Sequence, residues 1–401
     1  MKFIHFGCWN KDLCVFLNKV NNEYNRLVQT EISAENARTI NKKHSNMSYV
    51  LQSLRNNINK NQEKSIKFII IAGDNYYPDK VKIKKGTKSN NNLKLKSIIV
   101  KNLLSGFDCL PKNIETFILL GNHDIENINS SNIKTKYSKI PEITEHQNVI
   151  YNNYKSYLNP NNSNLNELII RSSTNNNIKE CLIYKIQKFY ANFQKNLNLI
   201  YNNVGFRIIN STLVIMIDTN LYDMNEGSKE LICYNQIYSN NVNLSNLIDI
   251  QNTQVFEIIQ SELKDNIKNV VLTGHHPIIS SKIKKDKFKT IPINNIELFI
   301  ELFRIIPNEI NKYYLCADTH LYQEGIIEFE DQIINQYICG TGGAEKNNTI
   351  PIPINGKSYQ INNIKGLDFN YLIKISQKEN GYLEVDCEND DLKFSFKKIT
   401  I

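Results

Sequence analysis

Six short apolar runs, each ending abruptly in polar residues able to bind a metal, constrain this chain more than any other feature. Phe3-Ile4-His5-Phe6 passes into Gly7-Cys8-Trp9-Asn10, and Phe68-Ile69-Ile70-Ile71-Ala72 into Gly73-Asp74-Asn75-Tyr76-Tyr77. Phe117-Ile118-Leu119-Leu120 passes into Gly121-Asn122-His123-Asp124, and Val270-Val271-Leu272-Thr273 into Gly274-His275-His276-Pro277. Tyr313-Tyr314-Leu315-Cys316 leads to Ala317-Asp318-Thr319-His320, and Tyr337-Ile338-Cys339 to Gly340-Thr341-Gly342-Gly343. Runs this short, rich in β-formers and apolar on both faces, are buried central strands. Gly is scarce, 15 in 401 residues, yet seven fall at these strand ends, so the turns there are specified rather than incidental.

Between the runs, apolar residues recur at three-to-four spacing over Leu13 to Leu27, Ser48 to Ile58, Leu95 to Leu104, Thr253 to Leu263 and Ile296 to Ile306, which predicts helices. A seventh run, Leu213 to Ile217, ends at Asp218-Thr219, and the tail alternates like antiparallel strands over Tyr371 to Ile375, Tyr382 to Val385 and Leu392 to Phe396. Strand and helix in alternation predict an α/β sandwich whose functional residues sit on loops at the carboxyl ends of the strands. Polar stretches at 78–96 and 125–180 read as insertions in a single domain spanning 1–401. The longest apolar runs are five residues, far below the roughly 18 that a membrane span needs. The N-terminus has no long apolar core and no small-residue cleavage site, so an intracellular, cytoplasmic location is expected. Eight cysteines scattered without a C-x-x-C pair predict no disulfides.

Taken in order, Gly-Asp-Asn-x-Tyr, Gly-Asn-His-Asp, Gly-His-His-Pro and x-Asp-x-His resemble the metallophosphoesterase (calcineurin-like) superfamily. Tyr77 three residues after Asp74, Trp9 beside the first motif and the glycines after the last ligand strand resemble its purple acid phosphatase branch. The resemblance implies a four-layer α/β/β/α sandwich and a metal-dependent phosphoric ester hydrolase, in which two metal ions promote in-line attack on a phosphate ester. Asp74 then corresponds to the bridging carboxylate. Tyr77 and His320 complete one metal site, and Asn122 and His275 the other, with Cys8 and Asp318 as further candidate ligands. His123 corresponds to a histidine that meets the phosphate and assists the leaving group, and His276 is either a second substrate contact or a turn residue. Carboxylate, phenolate, amide and imidazole donors suit two transition-metal ions, Fe, Mn or Zn.

Two positions depart from that pattern. Cys8 stands where the superfamily has Asp, and Asp318 where the last motif has His. Cys8 is open to two readings, thiolate ligand or small buried hydrophobe. Four ionised acids, Cys8, Asp74, Tyr77 and Asp318, neutralise two divalent cations and weaken them as Lewis acids, so a catalytically impaired pseudophosphatase acting as a binding or structural protein is the alternative. The expected partner is a phosphorylated substrate, with no membrane. Nucleic acid is not expected, because Lys80 to Lys101 carries eight lysines and no aromatic, unlike the aromatic-studded grooves of single-strand binders. A net charge of +8 favours anionic partners only mildly. His5, His44 and His146 read as structural or surface groups, and Trp9 as packing beside the site.

Overall fold

The computed structural model describes residues 1–10, 47, 49–59, 65–77, 106–107, 109–125, 184, 187–188, 191–192, 194–201, 203–226, 228, 230–238, 243–284, 287–344, 357–364, 366–388 and 390–399. The helices expected at Leu13 to Leu27 and Leu95 to Leu104, nearly all of both polar insertions, the lysine-rich stretch, His44 and His146 lie outside them.

All six runs form strands, and they fall into two sheets. The first has the order β16 (Lys393–Ile399), β15 (Asn380–Asp386), β1 (Lys2–Phe6), β2 (Ile66–Ala72), β3 (Glu115–Leu119) and β4 (Leu197–Ile200). The second has the order β13 (Lys357–Ile364), β14 (Leu367–Gln377), β11 (Tyr322–Phe329), β12 (Gln332–Cys339), β10 (Asn311–Cys316), β7 (Asn269–Thr273), β6 (Thr212–Met216) and β5 (Gly205–Ile209). A separate hairpin joins β8 (Ile279–Lys284) to β9 (Lys287–Pro292). Within each sheet the centre is parallel, β1 to β4 in one and β12, β10, β7 and β6 in the other. Their carboxyl ends therefore collect the six polar loops.

The period-two alternation of each strand fixes the layers. In β6, Val214 and Met216 join the core between the sheets, whereas Leu213 and Ile215 join the cluster beneath helices Leu244–Glu262 and Ile296–Arg304. Likewise Val271 and Leu315 point inward, while Leu272, Tyr314 and Cys316 face the helices. Phe299 packs edge-on against both Tyr222 and Tyr314, so that helix is seated by aromatic contacts. The helix at 49–59 covers the outer face of the first sheet, where Asn57 donates to Glu384 of β15 at 3.0 Å. The result is helix, sheet, sheet, helix, the α/β arrangement expected. The observed helix Leu244–Glu262 starts nine residues earlier than the periodicity suggested, because Asn243 caps it by accepting from the Ser245 N–H.

One expectation is overturned. Cys233, fully buried, is disulfide-bonded, to a partner outside the described residues. Spacing along the chain carried no sign of it, because a bridge depends on proximity in the fold. Cys8, Cys109, Cys316, Cys339 and Cys387 form no disulfide.

His5 is fully buried between the sheets, opposite Leu383 and Ile70, and neither ring nitrogen has a hydrogen-bond partner among the described residues. Burial pushes its pKa down to about 3. Below the unfolded value near 6.5 the unfolded chain binds a proton that the native one refuses, so this residue makes stability fall as pH falls from 6.5 towards 3, by at most about 1.4 kcal/mol per pH unit. We expect His5→Leu to flatten that part of the stability curve by this amount, measured as the difference from the native chain in urea unfolding at successive pH.

Candidate metal centre

The loops converge because their backbones touch. A Cβ on Gly121 would lie 2.2 Å from the Asp74 nitrogen, and one on Gly73, itself at φ +76°, would lie 2.6 Å from the Gly121 nitrogen. Only glycine permits the β2 and β3 loops to approach this closely. Cys8, Asp74 and Asp318 all adopt positive φ, 53°, 51° and 42°. Non-glycine residues are uncommon there and Cys8 is strained, a state that persists where surrounding structure enforces it and that clusters at functional sites, while Asp tolerates the region better.

Asp74 is at the centre, almost fully buried. Its Oδ2 lies 3.8 Å from the Cys8 Sγ, and its Oδ1 lies 3.3 Å from His275 Nε2 and accepts from the His123 N–H at 3.2 Å. On one side, Cys8, Asp74 and His320 bring donor atoms within 4.8 Å of one another, and the Tyr77 hydroxyl lies 3.0 Å from His320 Nε2. On the other, His275 Nε2 lies 3.3 Å from Asn122 Oδ1 and 3.9 Å from Asp318 Oδ1, and His275, His276 and Asp318 form a second donor group within 4.8 Å. Every site residue taken from the sequence is thus in one place.

The donor chemistry fits a cation. His275 Nδ1 lies 2.7 Å from the Ala72 carbonyl, which can only accept. That bond places the proton on Nδ1 and leaves Nε2 as a lone pair in the neutral ring, aimed at the oxygens of Asp74, Asn122 and Asp318. Lone pairs from four side chains meeting at one spot repel unless a positive charge lies among them. In the metal-free chain a proton fills that need. Burial disfavours charge on His275, yet Asp74 and Asp318 push its pKa up to about 9. Against the same burial, His275 and His123 hold the Asp74 carboxyl far below the usual carboxylate range. Cys8 and Tyr77 are raised well above their ordinary values, first by burial and then by the charge of Asp74, so both are protonated without metal.

Two positioning groups escaped the sequence reading. Asp124, whose pKa burial and the nearby Asp74 push up to about 7, accepts from the backbone N–H groups of Gly121 at 2.8 Å and Asn75 at 3.0 Å and from Gln187 at 2.8 Å. It bolts the β2 loop to the β3 loop. Asn75 in turn accepts from Trp9 Nε1 at 3.0 Å, while the indole packs edge-on against Phe6 and Phe107. The second group follows β6. Thr219 Oγ1 accepts from the N–H of both His275 and His276 at 2.8 Å. Asn220 donates to the Leu120 carbonyl at 2.9 Å and to Asp218 at 2.8 Å, which turns its Oδ1 to His276 Nε2 at 3.1 Å. His276 therefore carries its proton on Nε2, and its Nδ1 lies 3.8 Å from Asp223. The abrupt end of the seventh apolar run at Asp218-Thr219 was the one available signal.

The sequence profile of the calcineurin-like phosphoesterase family matches residues 1–322. The chain belongs to this family. No curated protein matches it. Among solved structures, a chain described as "Structure of PhoD" matches with a TM-score of 0.40 and 9% identity, over 99% of this chain and 68% of that one. Membership makes the protein a metallophosphoesterase, and the donor groups around Asp74 are its candidate metal ligands. Among the described residues no helix is long and apolar enough to cross a membrane.

Thr219→Val keeps the shape and removes the acceptor of two buried N–H groups. At about 1–3 kcal/mol for each group left unsatisfied, we expect a loss of about 2–6 kcal/mol, measured by urea unfolding of the metal-free chain.

Proposed function

We propose that this single-domain chain is a metal-dependent phosphoric ester hydrolase similar to the purple acid phosphatases, using two transition-metal ions, Fe, Mn or Zn. Cys8, Asp74, Tyr77 and His320 would hold one ion, and Asp74, Asn122, His275 and Asp318 the other. One observation carries this reading: Asp74 divides its two oxygens between the two donor groups, Oδ2 towards Cys8 and Oδ1 towards His275. A pair of ions supplies a nucleophile at neutral pH and charge stabilisation of the in-line transition state.

The chain's own residues account for the rest. His123 is held by its N–H on Asp74, with its ring centroid 4.8 Å from that of Tyr77, where an imidazolium can hand a proton to the departing alkoxide. His276 is kept neutral by burial and by the neighbouring His275, and its Nδ1, free of the bond to Asn220, is the edge available to a phosphate oxygen that carries a proton. Asn122 and Asp318, both partly exposed, form the mouth through which the ester enters.

A second reading has its own observation. Cys8 is wholly buried and belongs to the apolar core cluster between the sheets, the behaviour of a packing residue, which fits a pseudophosphatase. Metal analysis with an aryl phosphate assay separates the two. The hydrolase predicts bound transition metal and metal-dependent turnover, and Asp74→Asn lowers turnover by at least about a hundredfold with the fold retained. Absence of both metal and turnover in the native chain assigns it to the pseudophosphatase.

The two departures make a sharper test. Cys8→Asp with Asp318→His replaces a soft donor by a hard one and removes one negative charge. The double variant is expected to bind metal more tightly and turn over faster than the native chain. Equal occupancy and equal rate would mean that the native ligands already serve a working site, if the native chain turns over with metal, or that other parts of the pocket have been lost, if it does not.

A further inference from the structure

The β8–β9 hairpin starts three residues after His276 and presents an arrangement that the hydrolytic site does not use. Its sequence, Lys282-Ile283-Lys284-Lys285-Asp286-Lys287-Phe288-Lys289, holds five lysines and one acid. The register sets Lys282 opposite Lys289 and Lys284 opposite Lys287, and at Lys282 and Lys289 like charge faces like. Such pairs destabilise a ribbon, and in a two-stranded sheet they persist at a cost that an anion relieves. Among the described residues neither Lys282 nor Lys289 makes an ion pair, and β8 and β9 pair with no other strand.

The ribbon is anchored beside the metal centre. Gln323, three residues past His320, donates to the Ser281 carbonyl at 3.2 Å, and Gln336 accepts from the Ile278 N–H at 2.9 Å. Lys282 follows Ser281 directly. The six residues from His276 to Lys282 span at most about 22 Å, the reach of about seven residues of extended peptide. Lysines two apart on one strand repeat every 6.8 Å or so, the same interval as alternate side chains of an extended chain. An acidic strand added at the β9 edge would set a carboxylate opposite Lys289, while the lysines repel another copy of the ribbon.

We propose that the β8–β9 ribbon docks the acidic flank of a phosphorylated peptide, in extended form, so that its phosphoester reaches the metal centre. The substrate class is thus an acidic phosphoprotein segment. This assignment rests on the hydrolase reading for the fate of the phosphate, and on the ribbon alone for the flank.

The test uses the full chain with metal supplied and a fluorescent peptide carrying the phosphonate analogue of phosphoserine, which resists hydrolysis, flanked on both sides by glutamates. The control peptide has serines in their place. Fluorescence anisotropy at low salt is expected to show the acidic peptide binding about tenfold or more tightly than the control. That preference should fall in K282Q/K289Q, vanish in K282E/K289E, and weaken with salt. Equal binding of both peptides by the native chain, or an undiminished preference in the charge-reversed variant, would overturn the proposal. So would displacement of the peptide by an oligothymidylate of equal charge at lower concentration, which would assign the ribbon to nucleic acid. Hydrolysis of p-nitrophenyl phosphate by the native chain reports on the hydrolase reading separately. A chain that hydrolyses it but ignores the flank sinks only the ribbon, and one that prefers the flank but hydrolyses nothing sinks only the hydrolase.

Discussion

A buried carboxylate has to be compensated, and Asp74 is the charge around which the top of this sandwich is arranged. Removing an ionised carboxylate from water without partners is prohibitively expensive. Here the cost is offset by the His123 N–H on Oδ1 and by the His275 imidazole 3.3 Å away. Those partners come from different sheets. The demand of one side chain is therefore met only when the β2, β3 and β7 loops are all in place, and the glycines at 73 and 121 exist because no side chain fits between loops drawn so close.

The strands and the ligand loops were legible in the sequence for one physical reason. A strand covered on both faces must be apolar throughout, so each polar residue after such a run marks a strand end, and strand ends are where this architecture places chemistry. Asp74, Asn122, His275 and His320 could be found this way although as many as 246 residues separate them (320 − 74). Asp124, Thr219 and Asn220 could not be given roles. Their function lies in accepting from or orienting backbone and ring atoms of other loops, and nothing in the residue type or spacing declares that. The short strands β4 and β5 have few wholly buried residues, so their apolar signal is weak. The disulfide at Cys233 was hidden for a related reason: a bridge records proximity in space.

The departures at Cys8 and Asp318 look different once the backbone is seen. Both sit at positive φ, as does Asp74. Asp is among the residues that tolerate this region best, so Asp318 pays little conformational strain for standing in place of His. Cys8 has no such excuse. Its backbone is fixed from outside: Cys8 N–H donates to the Gly73 carbonyl at 3.1 Å, and the Cys8 carbonyl accepts from Ala344 N–H at 2.9 Å. Neighbouring loops hold the thiol beside Asp74 whatever its own preference.

The bonds that cross between the sheets carry a mechanical consequence. Cys8, Asp74, Tyr77, Asn122 and His123 ride on the first sheet, and His275, His276, Asp318 and His320 on the second. Asp124 clamps the first set together and Thr219 steadies the two histidines of the second, so each half behaves as a jaw. The contacts between jaws, His275 to Ala72 and Asp74 and Tyr77 to His320, lie across the seam of the sandwich. A cation gripped there would act as a rivet, tying the resistance of the two sheets against shearing to the occupancy of the site.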